Sequence, residues 1–174
     1  MKSVVWEGCL SLIFLLSSCQ PDAYQINGFA RSFQEGDTIC LALEDSKGLL
    51  SQTIVDNGKF LFEGKTDGIS LCRAYVKREP DCGVTFFLEP EVLTVEINPE
   101  TERSRVSGSR INNEWQMLSD SINLLAKDIV KKDAREIDSL HRRMSDCIQN
   151  AARRNKDNYL GKYIEENYKK PEFK

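Results

Sequence analysis

Apolar and polar residues alternate with a period of two over the first half of this chain and with a period near 3.6 over the second. From Tyr24 to about Ser107 the pattern is that of short strands. Ile39, Leu41 and Leu43 alternate with Cys40 and Ala42, so both faces of that strand are apolar and both are expected to be buried. Asp45, Ser46, Lys47 and Gly48 form a turn signal, and the run Leu49 to Val55 follows it. Asp56, Asn57 and Gly58 then precede the apolar stretch from Lys59 to Glu63. An Asn-Gly pair accepts positive φ at both central positions of a tight turn, so it is the strongest short-range signal for a hairpin. Further strands are expected at 70–77, 84–89, 92–98 and near 103–107. Val84, Phe86 and Leu88 form one inward face, and Leu93, Val95 and Ile97 form another.

After Ser107 the period changes. Ile111, Trp115, Leu118, Ile122, Leu125 and Ile129 recur in steps of three and four, as do Ile137, Leu140, Met144, Cys147 and Ala151. These are the stripes of two amphipathic helices, either an antiparallel hairpin broken near Lys132 and Asp133 or one long helix. Ser109 is placed to cap the first of them, because its hydroxyl can accept from an unpaired amide of the opening turn. A third helical piece covers about 158–168. The expected fold class is α+β: about seven or eight short antiparallel strands in a β-sandwich or a strongly curled sheet, then a C-terminal helical hairpin.

The extreme amino terminus belongs to neither pattern. Lys2 and the free amino group precede an apolar stretch from Gly8 to Leu16, too short for a hydrocarbon core that needs roughly 20 residues but suited to a secretory signal peptide. It ends at Leu16, Ser17, Ser18 and Cys19, and this ending resembles a bacterial lipoprotein lipobox. The resemblance implies cleavage between Ser18 and Cys19 and lipid attachment to the Cys19 thiol. Several acyl chains hold a protein durably on a bilayer, so the expected partner there is a membrane reached through the lipid anchor. The organisation is then a signal peptide at 1–18, a lipidated linker at 19–23, a β domain at 24–108, a helical segment at 109–168 and a polar tail at 169–174.

Composition narrows the partners. Hydrophobic residues make up 40% and charged residues 29%, a globular balance, and the formal net charge is −3. Nucleic acid needs clustered Lys and Arg to displace counterions, and none is expected as a partner. The pairs Arg142–Arg143 and Arg153–Arg154 lie among Asp and Glu and read as a solvated helix face. Cys40, Cys72, Cys82 and Cys147 form no Cys-x-x-Cys pair, so a thioredoxin-like redox site is missing. In an oxidising envelope they are either buried free thiols or include at least one disulfide. His141 is the only imidazole. It sits on a helix border with no nucleophile motif nearby, and no metal-ligand spacing, Walker loop or dinucleotide fingerprint is present. No catalytic residue, cofactor or metal site is therefore assigned. Phe60, Phe62, Phe86 and Phe87 read as sheet core. Adjacent Phe86 and Phe87 must point to opposite faces, so one of them either lies under the helices or stands exposed as a docking point.

The order of these features resembles a family. After the lipobox come Tyr24, Ile26 and Gly28, then Gly36, Asp37, Ile39 and Leu41. The Gly48 turn leads to Asp56, Gly58, Phe60, Phe62 and Gly64. Phe86 to Pro90 and the strand ending at Ile97 precede Val106 to Ser109, Asn112 and Trp115. This is similar, over about residues 24–165, to the domain of unknown function that precedes a thioredoxin-like, AhpC/TSA-type domain in Bacteroidetes envelope lipoproteins. Asn158, Tyr159, Leu160 and Gly161 resemble the lead-in to that redox domain, and the sequence stops at Lys174 with no residue that matches its active site. The resemblance implies an anchored, non-catalytic β domain with a helical arm. Its expected role in the cell envelope is to dock a protein or glycan partner or to space a redox domain from the membrane. Gln20, Pro21 and Asp22 lack the acidic run that resembles a surface-export signal, so the expected facing is periplasmic. The alternative is a split thiol–disulfide exchange protein working with a separate thioredoxin-like chain.

Overall fold

The computed structural model describes residues 22–46, 48–129 and 134–168; Ser18, Cys19, the break near Lys132 and the tail at 169–174 lie outside them. Eight strands form two four-stranded sheets. Strands β1 (Ala23–Phe29), β4 (Lys59–Lys65), β7 (Val92–Glu96) and β8 (Arg105–Ser107) make the first sheet, in the order β4-β1-β7-β8. Strands β2 (Thr38–Leu43), β3 (Leu49–Ile54), β5 (Ser70–Val76) and β6 (Glu79–Leu88) make the second, in the order β3-β2-β5-β6. All neighbours are antiparallel except β1 and β7, which run parallel. The α+β class holds, and the sheets are two separate layers rather than one curled surface.

The core between the layers comes from the period-two positions. Ile26, Phe62, Leu93 and Val95 of the first sheet meet Ile39, Leu41, Ala74, Val76 and Phe86 of the second, and all are buried. Fully burying one such side chain is worth about 1.5–3 kcal/mol. Two aromatic–glycine pairs lock the register of β1 against β4. Tyr24 lies opposite Gly64 and Phe60 opposite Gly28. A Cβ at Gly28 would stand 2.1 Å from the Phe60 ring, and one at Gly64 would stand 2.7 Å from the Tyr24 hydroxyl. Each aromatic ring thus fills the space its glycine partner leaves vacant.

The Asn57–Gly58 turn forms as expected, with φ of 52° and 70° and reciprocal backbone bonds between Asp56 and Lys59 of 2.8 and 3.0 Å. The hairpin it signals does not form. β3 pairs with β2 and β4 pairs with β1, so the chain crosses from one layer to the other at this turn. The pivot is buried Val55, whose backbone is bonded to Gly36 and Asp37 before the chain leaves the second sheet. β6 also begins earlier than the pattern suggests, at Glu79 rather than near 84. It can include Pro80 because it is an edge strand, where a missing N–H costs no ladder bond.

Helices α1 (Arg110–Ile129), α2 (Ala134–Arg154) and α3 (Tyr159–Asn167) follow. α1 and α2 are separate and antiparallel: Arg154 near the end of α2 pairs with Glu114 near the start of α1 at 3.1 Å. The Ser109 cap is present, with its hydroxyl accepting from Asn112 N at 3.1 Å. Asn158 caps α3 by accepting from Gly161 N at 3.2 Å. The helices bury their stripes with Leu71 and Phe87, on the outer face of the second sheet, in a second core that includes Ile111, Leu118, Ala151, Leu160 and Ile164.

Candidate functional site

A two-layer sandwich has two open sides, each flanked by one edge strand from each sheet. Here β6 and β8 flank one side, and β3 and β4 flank the other. The β6/β8 side is sealed by α1. On β6, residues 85 and 87 present backbone groups to the free edge. Asn112, fully buried, accepts from Phe87 N at 2.9 Å and donates to Phe87 O at 2.7 Å. Its side-chain amide thereby replaces the peptide of a missing neighbouring strand. One turn on, Trp115 Nε1 donates to Thr85 O at 2.9 Å. The next residue serves the other sheet: Gln116 Oε1 accepts from Val106 N of β8 at 2.8 Å.

The joint is completed by a buried carboxyl. Glu89 accepts from Ser109 Oγ and, at 3.0 Å, from Asn112 Nδ2. Burial pushes its pKa up; the Ser109 bond opposes that, Glu91 adds to it, and the Asn112 bond opposes it again. Above this network Phe87 is ringed by Trp115, Tyr159 and Tyr163, edge to face, at centroid distances of 5.4, 5.7 and 5.3 Å. Burial first, then the neighbouring Tyr168, carries the Tyr163 phenol up to about 12.

Beyond the second core, α1, α2 and β6 enclose a cleft of about 460 Å³, within the size range of small-molecule sites. Trp115, Ile122, Met144 and Ile148 make its walls apolar, and among the described residues Arg73 is the only charged one lining it. The Arg73 guanidinium lies across Gly83, where a Cβ would come within 3.0 Å of Nε. Its Nη2 donates to Pro80 O at 3.1 Å and Asp81 O at 3.0 Å, so the side chain fastens the start of β6. Its Nε is buried without a partner.

The β3/β4 side has no such cover. Leu49, Leu50 and Ile54 of β3 are 52%, 45% and 60% exposed, and Leu61 of β4 is 46% exposed. β4 interleaves charges, at Lys59, Glu63 and Lys65, whereas β3 has none across its six residues.

The residues singled out by sequence are dispersed. Ser18 and Cys19 fall outside the described residues. His141 is exposed on α2. The four cysteines within the described residues are free thiols; Cys40 and Cys72 are buried. Burial pushes the Cys72 thiol up to about 12, and it raises Cys82 together with a contact to Glu79. Raised thiols are poor nucleophiles at neutral pH. Phe86 and Phe87 are both fully buried, the first between the sheets and the second under the helices, so neither is a docking point. Among the described residues no group of three or more His, Cys, Asp or Glu is placed to hold a metal, and no helix is long and apolar enough to cross a membrane. Sequence reasoning missed Asn112 as a joint and β3 as an uncharged edge. The second was readable from six residues without a charge; the first needed the knowledge that β6 is an edge.

Among comparisons with known proteins, the family model of a domain of unknown function (DUF4369) matches residues 24–115, more than half of the chain. No curated protein matches it. The matched span takes in the whole sandwich and ends at Trp115, so it includes the Asn112 joint and stops within α1.

Proposed function

We propose, from the premise that this chain belongs to the DUF4369 family of domains of unknown function, that it is a lipid-anchored envelope module that works by binding and not by catalysis. The observation that carries this reading is where residues of the matched span go. Tyr24, Gly28, Phe60 and Gly64 set a strand register; Glu89, Ser109, Asn112 and Trp115 join helix to sheet. Glu89, Ser104, Ser109 and Asn112, buried polar residues of the matched span, are thus engaged in architecture. Arg73 Nε stands unpaired beside the cleft, and the exposed edge of β3 offers a surface of the kind that recognises another chain.

The start of the fold sets how an anchor on Cys19 would hold the domain. Asp22 stands three residues after Cys19, and its carbonyl accepts from Thr66 N at 2.8 Å while its carboxylate pairs with Lys65 at 3.2 Å. Three residues reach at most about 11 Å, since an extended chain gains about 3.3–3.6 Å per residue. A lipid on Cys19 would therefore hold the body close against the bilayer. The thiol-exchange reading is weakened by Cys72 and Cys82, whose pKa shifts both run away from reactivity.

The test is the mass of the mature amino terminus together with detergent-phase partition. The wild type is expected to start at an acylated Cys19 and to enter the detergent phase, and Cys19→Ala is expected to remain aqueous. A wild-type chain that keeps residues 1–18 without lipid overturns the anchor.

A further inference from the structure

We infer that the cleft between α1, α2 and β6 binds an aliphatic carboxylate, its chain between the helices and its carboxylate on the Arg73 guanidinium. The inference goes beyond the envelope role proposed above and holds whether or not Cys19 carries lipid.

The cleft exists because the outer face of the second sheet changes character along its length. Leu71 of β5 and Phe87 of β6 lie opposite each other and join the helices in the second core. Two residues on, the same face carries Arg73 opposite Thr85, and then Gly83. Cys72 and Ala74 are in the core between the sheets, so Arg73 projects from the helical side. None of these three offers a large apolar surface to the helices. Leu118 and Ile122 of α1 and Met144 and Ile148 of α2 therefore line, with Trp115, a space of about 460 Å³ that the sheet does not fill.

Arg73 brings an unmet charge to this apolar space. Its Nη2 is taken up by the carbonyls of Pro80 and Asp81. Its Nε is buried without an acceptor, and among the described residues nothing bonds to Nη1 and no carboxylate pairs with the guanidinium. No Asp or Glu among them lines the cleft. A partly buried cation ordinarily has an anionic partner, and a buried donor an acceptor. A carboxylate supplies both, in the planar form that a guanidinium matches. A cationic ligand would face a like charge, and a plain hydrocarbon would leave the donors unmet. The walls choose the rest of the ligand: four of the five apolar side chains are aliphatic, and Met144 adapts its shape to a flexible chain. Arg73 also borders a second hollow, beside Tyr75 and Lys77, but Glu44 lines that one and sets a like charge against an entering anion.

The experiment adds dodecanoate carrying a diazirine on its chain to the full-length, membrane-bound protein, irradiates it and maps the label by peptide mass spectrometry. Label is expected on peptides containing Ile122, Met144 or Ile148, and unlabelled dodecanoate should displace it. Dodecanol has the same chain without the charge and, at matched free concentration, should compete about tenfold less well, the scale of one charge-assisted contact. Arg73→Met and Ile148→Trp, which narrows the cleft from α2, should each lower the label by about tenfold or more. Gln52→Trp, in the second hollow, should leave it unchanged. Arg73 also fastens β6, so circular dichroism checks that its variant folds; the dodecanol comparison and Ile148→Trp decide the matter if it does not. Label spread over the surface or confined to the second hollow, equal competition by dodecanol, or indifference to Ile148→Trp overturns the inference. Failure of the anchor is read separately: a lipid-free chain that is still labelled in the cleft sinks the anchor and leaves the ligand site intact.

Discussion

The two open sides of this sandwich solve the same problem in opposite ways. On the β6/β8 side, three side chains of α1 supply the hydrogen bonds of a missing strand: Asn112 to Phe87, Trp115 to Thr85 and Gln116 to Val106. On the β3/β4 side, the edge of β3 is uncharged and Leu49, Leu50 and Ile54 stand in solvent. An edge sealed at the cost of a buried polar network is committed to the fold, whereas an edge left bare and uncharged is free for association. The contrast sets a side closed by side-chain hydrogen bonds against one whose β3 edge exposes apolar side chains.

Phe87 tests the sealed side most severely. It is fully buried and touches three aromatic rings contributed by α1 and α3. Phe87→Ala is expected to cost about 3–5 kcal/mol, the usual range for a buried Phe. Ile54→Ala, on the bare side, should change stability by no more than about 0.5 kcal/mol in dilute solution. Urea unfolding followed by far-ultraviolet circular dichroism checks both. Comparable losses from the two variants would erase the distinction between the sides.

A comparable effect is expected from the joint itself. Asn112→Ala leaves both Phe87 N and Phe87 O buried and unpaired, and each such group costs about 1–3 kcal/mol. The loss should be local to the seam. Amide exchange is expected to rise in β6 and early α1 while the β1–β4 ladder keeps its protection. Uniform acceleration in both sheets would mean that the seam and the sandwich core open as one unit.

Much of this was legible from spacing, and the rest was not for identifiable reasons. The inward faces Val84/Phe86/Leu88 and Leu93/Val95/Ile97, the helical stripes and the Ser109 cap depend on neighbours within a few positions, and all were visible. The assignment of β3 and β4 to different sheets was not visible. Asn57 and Gly58 determine that the chain turns, but which strands pair is decided by long-range contacts of Val55, Phe60 and Phe62. The parallel pairing of β1 with β7 is hidden for the same reason. Asn112 looked like an ordinary polar position beside the helical stripe; its role depends on Phe87, 25 residues away. Both Phe86 and Phe87 could be assigned to strand faces, but only the helices' position over the sheet decided that Phe87 was covered.

The smallest predicted effect concerns protons. The seam holds Glu89 with its pKa raised, mainly by burial. A carboxyl whose pKa is higher in the folded chain than in the unfolded one binds its proton more tightly when folded. Its contribution to stability is therefore complete below its ordinary value of 4.5 and is lost as pH rises through the raised folded value. This is opposite in sign to Asp37 beside the bare edge, whose carboxyl the Arg78 guanidinium holds below its ordinary value and whose contribution is lost only as pH falls through that lowered value. Glu89→Gln keeps an acceptor for Ser109 and Asn112 and removes the charge. Its urea midpoint should match wild type near pH 4 and move upward relative to wild type as pH rises above 4.5. Asp37→Asn should instead fall below wild type at neutral pH and approach it under acid conditions. If the Glu89→Gln and wild-type curves run parallel from pH 4 to 8, the carboxyl is not held in the seam as described, and the polar half of the sealed side must be redrawn.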